Sequence, residues 1–181
     1  MPREQPPEPW LAFFNELDSQ LSGPVALHCL GGFVVIHVYG VARTTNDCDF
    51  IAWVPADSGS ELLGLAGRDS ALHQKHKVYL DPVTVANYPD DYETRLTPIF
   101  EGQWQFLKLF ALEAHDIALS KLERNYERDR DDVQRLAAAG RIDPKVLRDR
   151  YETELRVYLA KPEREDLTLN LWIESYWPND N

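Results

Sequence analysis

Apolar and polar positions fall into blocks whose period changes along the chain. Residues 1–9 carry four prolines and read as an irregular lead-in. Trp10, Leu11, Phe14, Leu17 and Leu21 then recur at helical spacing and predict an amphipathic helix, stopped by Gly23-Pro24. Val25 to Leu30 is a short apolar run that ends at Gly31-Gly32 and predicts a buried strand closed by a glycine turn. Phe33 to Tyr39 stays apolar up to Gly40. Its Val34, Val35, Ile36 and Val38 favour a strand, its position after a strand and a double glycine favours a buried helix, and periodicity does not decide.

Asp47 to Val54, rich in Phe50, Ile51 and Trp53 and ending at Pro55, predicts a second strand. Ser58 to Lys75 reads as helix interrupted at Gly67, and Val78 to Leu80 as a short strand closed by Asp81-Pro82. Residues 82–94 form a long loop of the kind that borders functional sites. Leu96 to Phe100 and Trp104 to Leu112 are expected to pair as strands across Glu101-Gly102-Gln103.

From His115 onward the pattern turns helical. Asp116 is a candidate cap, and Ile117, Leu119 and Leu122 lead into the charged run Glu123 to Asp132. Helices are expected near 130–139 and 144–159, and Leu167 to Trp177 is open between strand and helix. The expected fold is α+β: an α/β core with a mixed sheet over 10–113, flanked by helices, and a helical portion over 114–181.

Composition narrows the function classes. At 181 residues and 44% hydrophobic, the chain is long enough for one compact domain, or for a small α/β core with a helical extension. Nineteen Lys and Arg against 30 Asp and Glu give a net charge of -11, which disfavours generic coating of nucleic acid. A metal or a local basic patch still admits a phosphorylated substrate. No apolar stretch has membrane-spanning length, and Met1 to Pro9 is rich in Pro and Glu rather than basic then apolar. The expectation is a soluble cytoplasmic protein without a membrane partner. Cys29 and Cys48 sit in apolar runs, as buried free thiols do, and make no disulfide framework.

The candidate chemistry lies in Asp47-Cys48-Asp49-Phe50. On a strand, side chains alternate, so Asp47 and Asp49 share a face with Cβ atoms about 6.5–7 Å apart, while Cys48 and Phe50 turn to the core. Two such oxygen ligands suit Mg²⁺ or Mn²⁺, with substrate phosphate completing the shell. Phosphoryl transfer asks the protein mainly for positioning and charge neutralisation. Gly31-Gly32 lets backbone approach a phosphate closely and opens a segment whose N–H groups attract anions. Arg43 is a candidate phosphate ligand or a partner for Asp49. The plainer alternative for the two aspartates is a solvated turn leading into a strand.

The order Gly31-Gly32, spacer, Asp47-x-Asp49 resembles the signature of the nucleotidyltransferase superfamily, in which a Gly-Gly or Gly-Ser precedes an Asp-x-Asp strand. Arg43-x-Thr45-x-Asp47-x-Asp49 is similar to AbiEii-like nucleotidyltransferases, which include toxins of bacterial toxin–antitoxin systems, and to a related uncharacterised bacterial family. Asp116 to Arg124, followed by Arg128 to Val133, resembles that group's helical motifs, which keep a lysine and an acidic element. The spacer between Gly32 and Asp47 is slightly longer than the superfamily pattern.

The resemblance implies that Asp47 and Asp49 bind the metal. It also implies that Gly31, Gly32, Arg43, Thr45 and Lys121 bind a nucleoside triphosphate, and that Asp129 or Asp132 completes the site. Asp81 is a candidate third carboxylate, although Pro82 beside it makes a turn-forming Asp the simpler reading. RNA or transfer RNA as acceptor and an antitoxin as partner follow from the same resemblance. The alternative from another class is a non-catalytic protein of this fold that binds a nucleotide or a partner without turnover.

Were 116–136 one unbroken helix, Lys121, Arg124, Arg128 and Asp132 would fall on nearly one face. That face either lines a cleft or is a solvated surface laced by ion pairs worth about 0.3–0.5 kcal/mol each. Lys121 differs from its charged neighbours in standing among Ile117, Leu119 and Leu122. His73 and His76 lack a third ligand at metal spacing, and no Ser-His-Asp or Cys-His arrangement is present.

Overall fold

The computed structural model describes residues 4–84 and 86–178, so expectations that fall on 1–3, on 85 within the loop and on 179–181 lie outside the described residues. The chain forms two compact units. One runs through Thr84 and takes in Leu96–Leu112; the other holds Arg95 and the residues just before it, together with everything from Glu113 on.

In the first unit, helix α1 (Trp10–Gln20) buries Trp10, Phe13, Phe14 and Leu17, the i, i+3, i+4, i+7 face. Trp10 meets Phe33 edge-on at 4.8 Å between ring centroids and stacks on Phe14 at 5.6 Å. Each fully buried aromatic of this kind contributes roughly 1.5–3 kcal/mol. Strand β1 (Val25–Leu30) ends in extended backbone, and Gly31 then takes a φ of +64°, which reverses the chain. The following apolar run therefore cannot continue the strand. It folds back as helix α2 (Gly31–His37), buried from Gly31 through Val35, so tertiary context overrides the β-propensity of its valines.

The five-stranded mixed sheet has the order β3-β2-β1-β5-β4. Strand β2 (Asp47–Val54) runs antiparallel to β1 and parallel to β3 (Tyr79–Pro82). Strand β5 (Leu107–Ala111) is parallel to β1, and the short β4 (Thr97–Ile99) is antiparallel to β5. The last two pair as the sequence leads one to expect, over a shorter span than 96–112. The start of β5 is fixed by Asp18, whose carboxylate accepts from the backbone N–H groups of Gln105, Phe106 and Leu107 at 3.0, 2.7 and 2.7 Å.

Between β2 and β3 lie α3 (Gly59–Ala66) and α4 (Ala71–His76), separated at Gly67 as the interruption in the pattern implied. A Cβ at Gly67 would stand 2.6 Å from the Leu63 carbonyl oxygen, so the tight exit from α3 requires glycine. Strand β3 is displaced from the expected 78–80: Asp81 and Pro82 are strand residues, and Asp81 does not form a closing turn. The proline is tolerated because β3 is an edge strand.

In the second unit, α5 (Ala114–Leu119) is capped by Glu113, which accepts from the His115 N–H at 3.0 Å; Asp116 is inside the helix and is not its cap. An unbroken helix over 116–136 does not form. The chain leaves helix after Leu119, passes Asn125 at a φ of +45°, and restarts as α6 (Glu127–Ala138), where the Asp129 carboxylate receives the Tyr126 N–H. Helix α7 (Pro144–Arg150) starts on an Asp143 cap with Pro144 at its first position. It then widens into a π turn over Tyr151–Leu155 and tightens into a 3-10 turn over Arg156–Tyr158. The open final segment is helix α8 (Glu163–Tyr176). Ile117, Leu119, Leu122, Val133, Leu136, Leu147 and Trp172 are buried within this unit. Among the described residues no helix is long and apolar enough to cross a membrane.

Candidate functional site

The pleat of β2 buries Cys48 and Phe50 completely and leaves Asp47 and Asp49 half-buried on the opposite face. Antiparallel pairing sets Asp49 against Leu30, the last residue before the glycine turn. Its carboxylate consequently lies over Gly31, where a Cβ would overlap it. Gly32 is confined in the same way: a Cβ there would stand 2.6 Å from Arg43 Nη2 and 3.0 Å from Thr45 Oγ1. Both glycines are thus spaces that other side chains of the site occupy. The Thr45 hydroxyl donates to the Asp47 carboxylate.

Parallel pairing of β3 with β2 sets Asp81 beside Asp49 and Tyr79 beside Asp47. Asp47, Asp49 and Asp81 each offer an oxygen, and the three lie within 4.8 Å of one another. Three hard anionic oxygens at that spacing match the ligand chemistry of Mg²⁺ or Mn²⁺. On the Asp81 side stands Arg68, whose guanidinium donates to the Tyr79 hydroxyl, lies 4.6 Å from the centre of the Tyr79 ring and comes within 3.9 Å of the Asp81 carboxylate. Burial raises the Tyr79 hydroxyl pKa above its ordinary value, and the charges of Asp47 and Asp81 push the same way against Arg68.

Behind the carboxylates, Cys48 and Cys29 are free, buried thiols with sulfurs 3.9 Å apart. Burial drives the Cys48 thiol pKa well upward, reinforced by Cys29 and the flanking aspartates, which keeps it an inert core group.

The other residues singled out in the sequence come together in the second unit. Lys121 is 5% exposed, and its Nζ lies 3.2 Å from Asp129 and 3.1 Å from Asp132, both essentially inaccessible. Arg124 adds contacts to Asp129 at 2.7 and 2.5 Å. Burial would raise the Asp129 pKa, but the hydrogen bonds and charges of Arg124 and Lys121 bring it below the ordinary value. Lys121 reaches these acids from a turn, across the break between α5 and α6. Arg128 is exposed on α6.

A second ionic group surrounds Asp116, which is fully buried and bonded by Arg95 at 2.9 and 3.0 Å and by Arg150 at 3.0 Å. Arg95 also binds Glu154, and Arg150 also binds Glu113. His115 Nε2 accepts the Asp143 N–H at 2.8 Å, so its Nδ1 carries the proton toward Glu113.

Arg68 and Tyr79 escape a reading of the sequence. The available signal was Tyr79-x-Asp81, an i, i+2 pair like Asp47-x-Asp49, which would have placed Tyr79 beside the carboxylates once β3 was drawn two residues longer.

Among curated proteins and among solved structures, nothing matches the chain. Residues 13–176 match a family described as "Nucleotidyltransferase of unknown function (DUF6036)", a span that takes in the glycine turn, all three carboxylates and the second unit's ionic clusters. The chain therefore belongs to this family of nucleotidyltransferases.

Proposed function

We propose that this protein is a divalent-metal-dependent nucleotidyltransferase with Asp47, Asp49 and Asp81 as the residues that would hold Mg²⁺ or Mn²⁺. The reading is carried by three carboxylate oxygens within 4.8 Å of one another, one of them set over a glycine that no side chain can replace without displacing it. A bound cation would supply charge neutralisation on the reacting phosphate.

The chain's own residues have separate tasks. Gly31 and Gly32 leave the room in which Asp49, Arg43 and Thr45 stand together beside the turn, where a triphosphate would be received. Arg43 faces the same turn and would bind phosphate oxygens, and Thr45 orients Asp47 through its hydroxyl. An acceptor oxygen bonds to the α-phosphorus, the P–O bond to the β-phosphate breaks, pyrophosphate leaves, and the acceptor's proton passes to water. Lys121 takes a structural part: its amine is held by Asp129 and Asp132, and a phosphate contact would require it to give up one of them.

The acceptor classes are RNA, including transfer RNA, a protein side chain and a small molecule, and the first two are tested first. A net charge of -11 weighs against a long polyanion and favours an acceptor presented as a single end or side chain. The purified protein is incubated with Mg²⁺, each labelled nucleoside triphosphate in turn, and total small RNA or a protein extract, in parallel with Asp49→Ala. Label moves to one acceptor class and fails to do so with Asp49→Ala. Transfer that survives Asp49→Ala would place the chemistry elsewhere. Binding of Mg²⁺ and nucleotide without transfer to RNA, protein or a small molecule would leave a non-catalytic binding protein.

A further inference from the structure

Arg68 comes within 3.9 Å of one of the three carboxylates, Asp81, yet that ion pair does not account for its position. Its separation from Asp81 is 3.9 Å and its side chain is 63% exposed, so the pair is of the kind that contributes almost nothing to stability. What fixes the guanidinium is Tyr79, through the hydroxyl and the ring face. Tyr79 belongs to the same strand as Asp81 and neighbours Asp47 on β2, so the cation is held beside the carboxylates by the element that builds them.

The backbone is equally determined. Gly67 bridges to Leu80 of β3, Ser70 N–H bonds back to the Gly67 carbonyl at 3.2 Å, and Asp69, at a φ of +66°, donates its N–H to His73 Nδ1 at 2.9 Å. Arg68 is therefore delivered from a rigid turn tied to the site's edge strand. A guanidinium has five donors in a planar fork, and the Arg68 side chain that carries it is 63% exposed.

Resting on the metal-site reading above, we propose that Arg68 is a phosphate-contacting residue of the site, binding phosphate oxygens of the nucleotide once the carboxylates hold a cation. Asp81, engaged in holding a cation, would no longer attract the arginine. The guanidinium, seated on the Tyr79 ring, would then stand as a positive fork beside a neutralised carboxylate cluster, a setting complementary to phosphate.

The test uses the full chain, Mn²⁺ alone, and Mn²⁺ with inorganic tripolyphosphate, which carries the phosphate chemistry without a base or sugar. Titrations are made on wild type, Arg68→Ala, Arg68→Lys and Asp49→Ala, with thermal melting as the check on folding. Arg68→Ala binds Mn²⁺ as tightly as wild type or tighter, because a competing cation is gone. Its affinity for tripolyphosphate falls about tenfold or more, and Arg68→Lys lies between because it restores the charge without the fork. Tripolyphosphate affinity unchanged in Arg68→Ala, with Mn²⁺ binding intact, would overturn the role of Arg68 alone. Wild type that binds no Mn²⁺, or an Asp49→Ala variant that binds it equally well, would overturn the metal site and this inference with it.

Discussion

Replacing Gly31 with alanine tests the link between the glycine turn and the carboxylates at one atom. Two costs arise from the structure. The φ of +64° is a left-handed conformation that costs a residue with a side chain about 1–2 kcal/mol. The new Cβ would also overlap the Asp49 carboxylate, which must leave its rotamer at about 0.5–1.5 kcal/mol or push β2 away from β1. A loss of about 2–3 kcal/mol follows, or roughly 5–10 °C in melting temperature for a chain of this length. Because the displaced atom is a proposed metal ligand, Mn²⁺ affinity measured by calorimetry should fall by about tenfold or more. Gly64→Ala is the control: Gly64 lies exposed in α3 with nothing near its added Cβ, and should stabilise the protein by about 0.5–1 kcal/mol without touching Mn²⁺ binding. A Gly31→Ala variant that melts with wild type and binds Mn²⁺ undiminished would refute the reasoning, since neither the turn nor the close approach would then matter.

Lys121→Met leaves Asp129 and Asp132 buried with one cation fewer and should cost about 3 kcal/mol in urea unfolding at neutral pH, with much of the loss recovered in Lys121→Met/Asp132→Asn. No recovery in the double variant would mean that the loss comes from packing and not from charge. For Glu113, burial opposes the shift, but His115 and Arg150 outweigh it and hold the pKa at about 2 against an ordinary 4.5. A depressed carboxylate stabilises the fold fully above its unfolded pKa and loses that contribution as pH falls toward the folded value. Stability should therefore drop by about 2–3 kcal/mol between pH 5 and roughly pH 2, and Glu113→Gln should flatten that slope; an equally steep profile in the variant would assign the loss to other groups.

What the sequence made legible, and what it hid, divides along one physical line. Asp47, Asp49 and the glycine turn were readable because strand alternation and a double glycine are local: the period of 2 fixes the shared face whatever surrounds it. The helical nature of α2 was not, because its valines favour a strand and only the reversal at Gly31 forbids one. Asp81 was readable as a candidate but not as a strand residue, since Pro82 signals a turn locally and only an edge position in the sheet permits it to stay in a strand. Lys121 and Asp132 illustrate a further failure: the i, i+11 spacing implied a common face on one helix. The two residues do meet, but through a turn that breaks that helix, so the proximity was legible for the wrong reason. Arg68 was hidden altogether, because its partners Tyr79 and Asp81 lie 11 and 13 residues away across a helix and become neighbours only through sheet register.

The three carboxylates are also informative as a cost. Unit charges about 4–5 Å apart repel by roughly 1 kcal/mol per pair in water and about 3–4 kcal/mol at the effective dielectric of a half-buried surface. Bringing three of them within 4.8 Å sets like charges against one another, and the Thr45 hydroxyl and Arg68 offset part of that repulsion. Nothing in packing requires them there: Cys48 and Phe50 supply the core of β2 and Leu80 that of β3, whatever stands on the other face. Three like charges set beside a glycine at a left-handed φ are a local cost that the packing of β2 and β3 does not explain. The net charge of -11 disfavours the approach of a bare polyanion to the chain as a whole, so the proposed phosphate site has to rely on its own local groups.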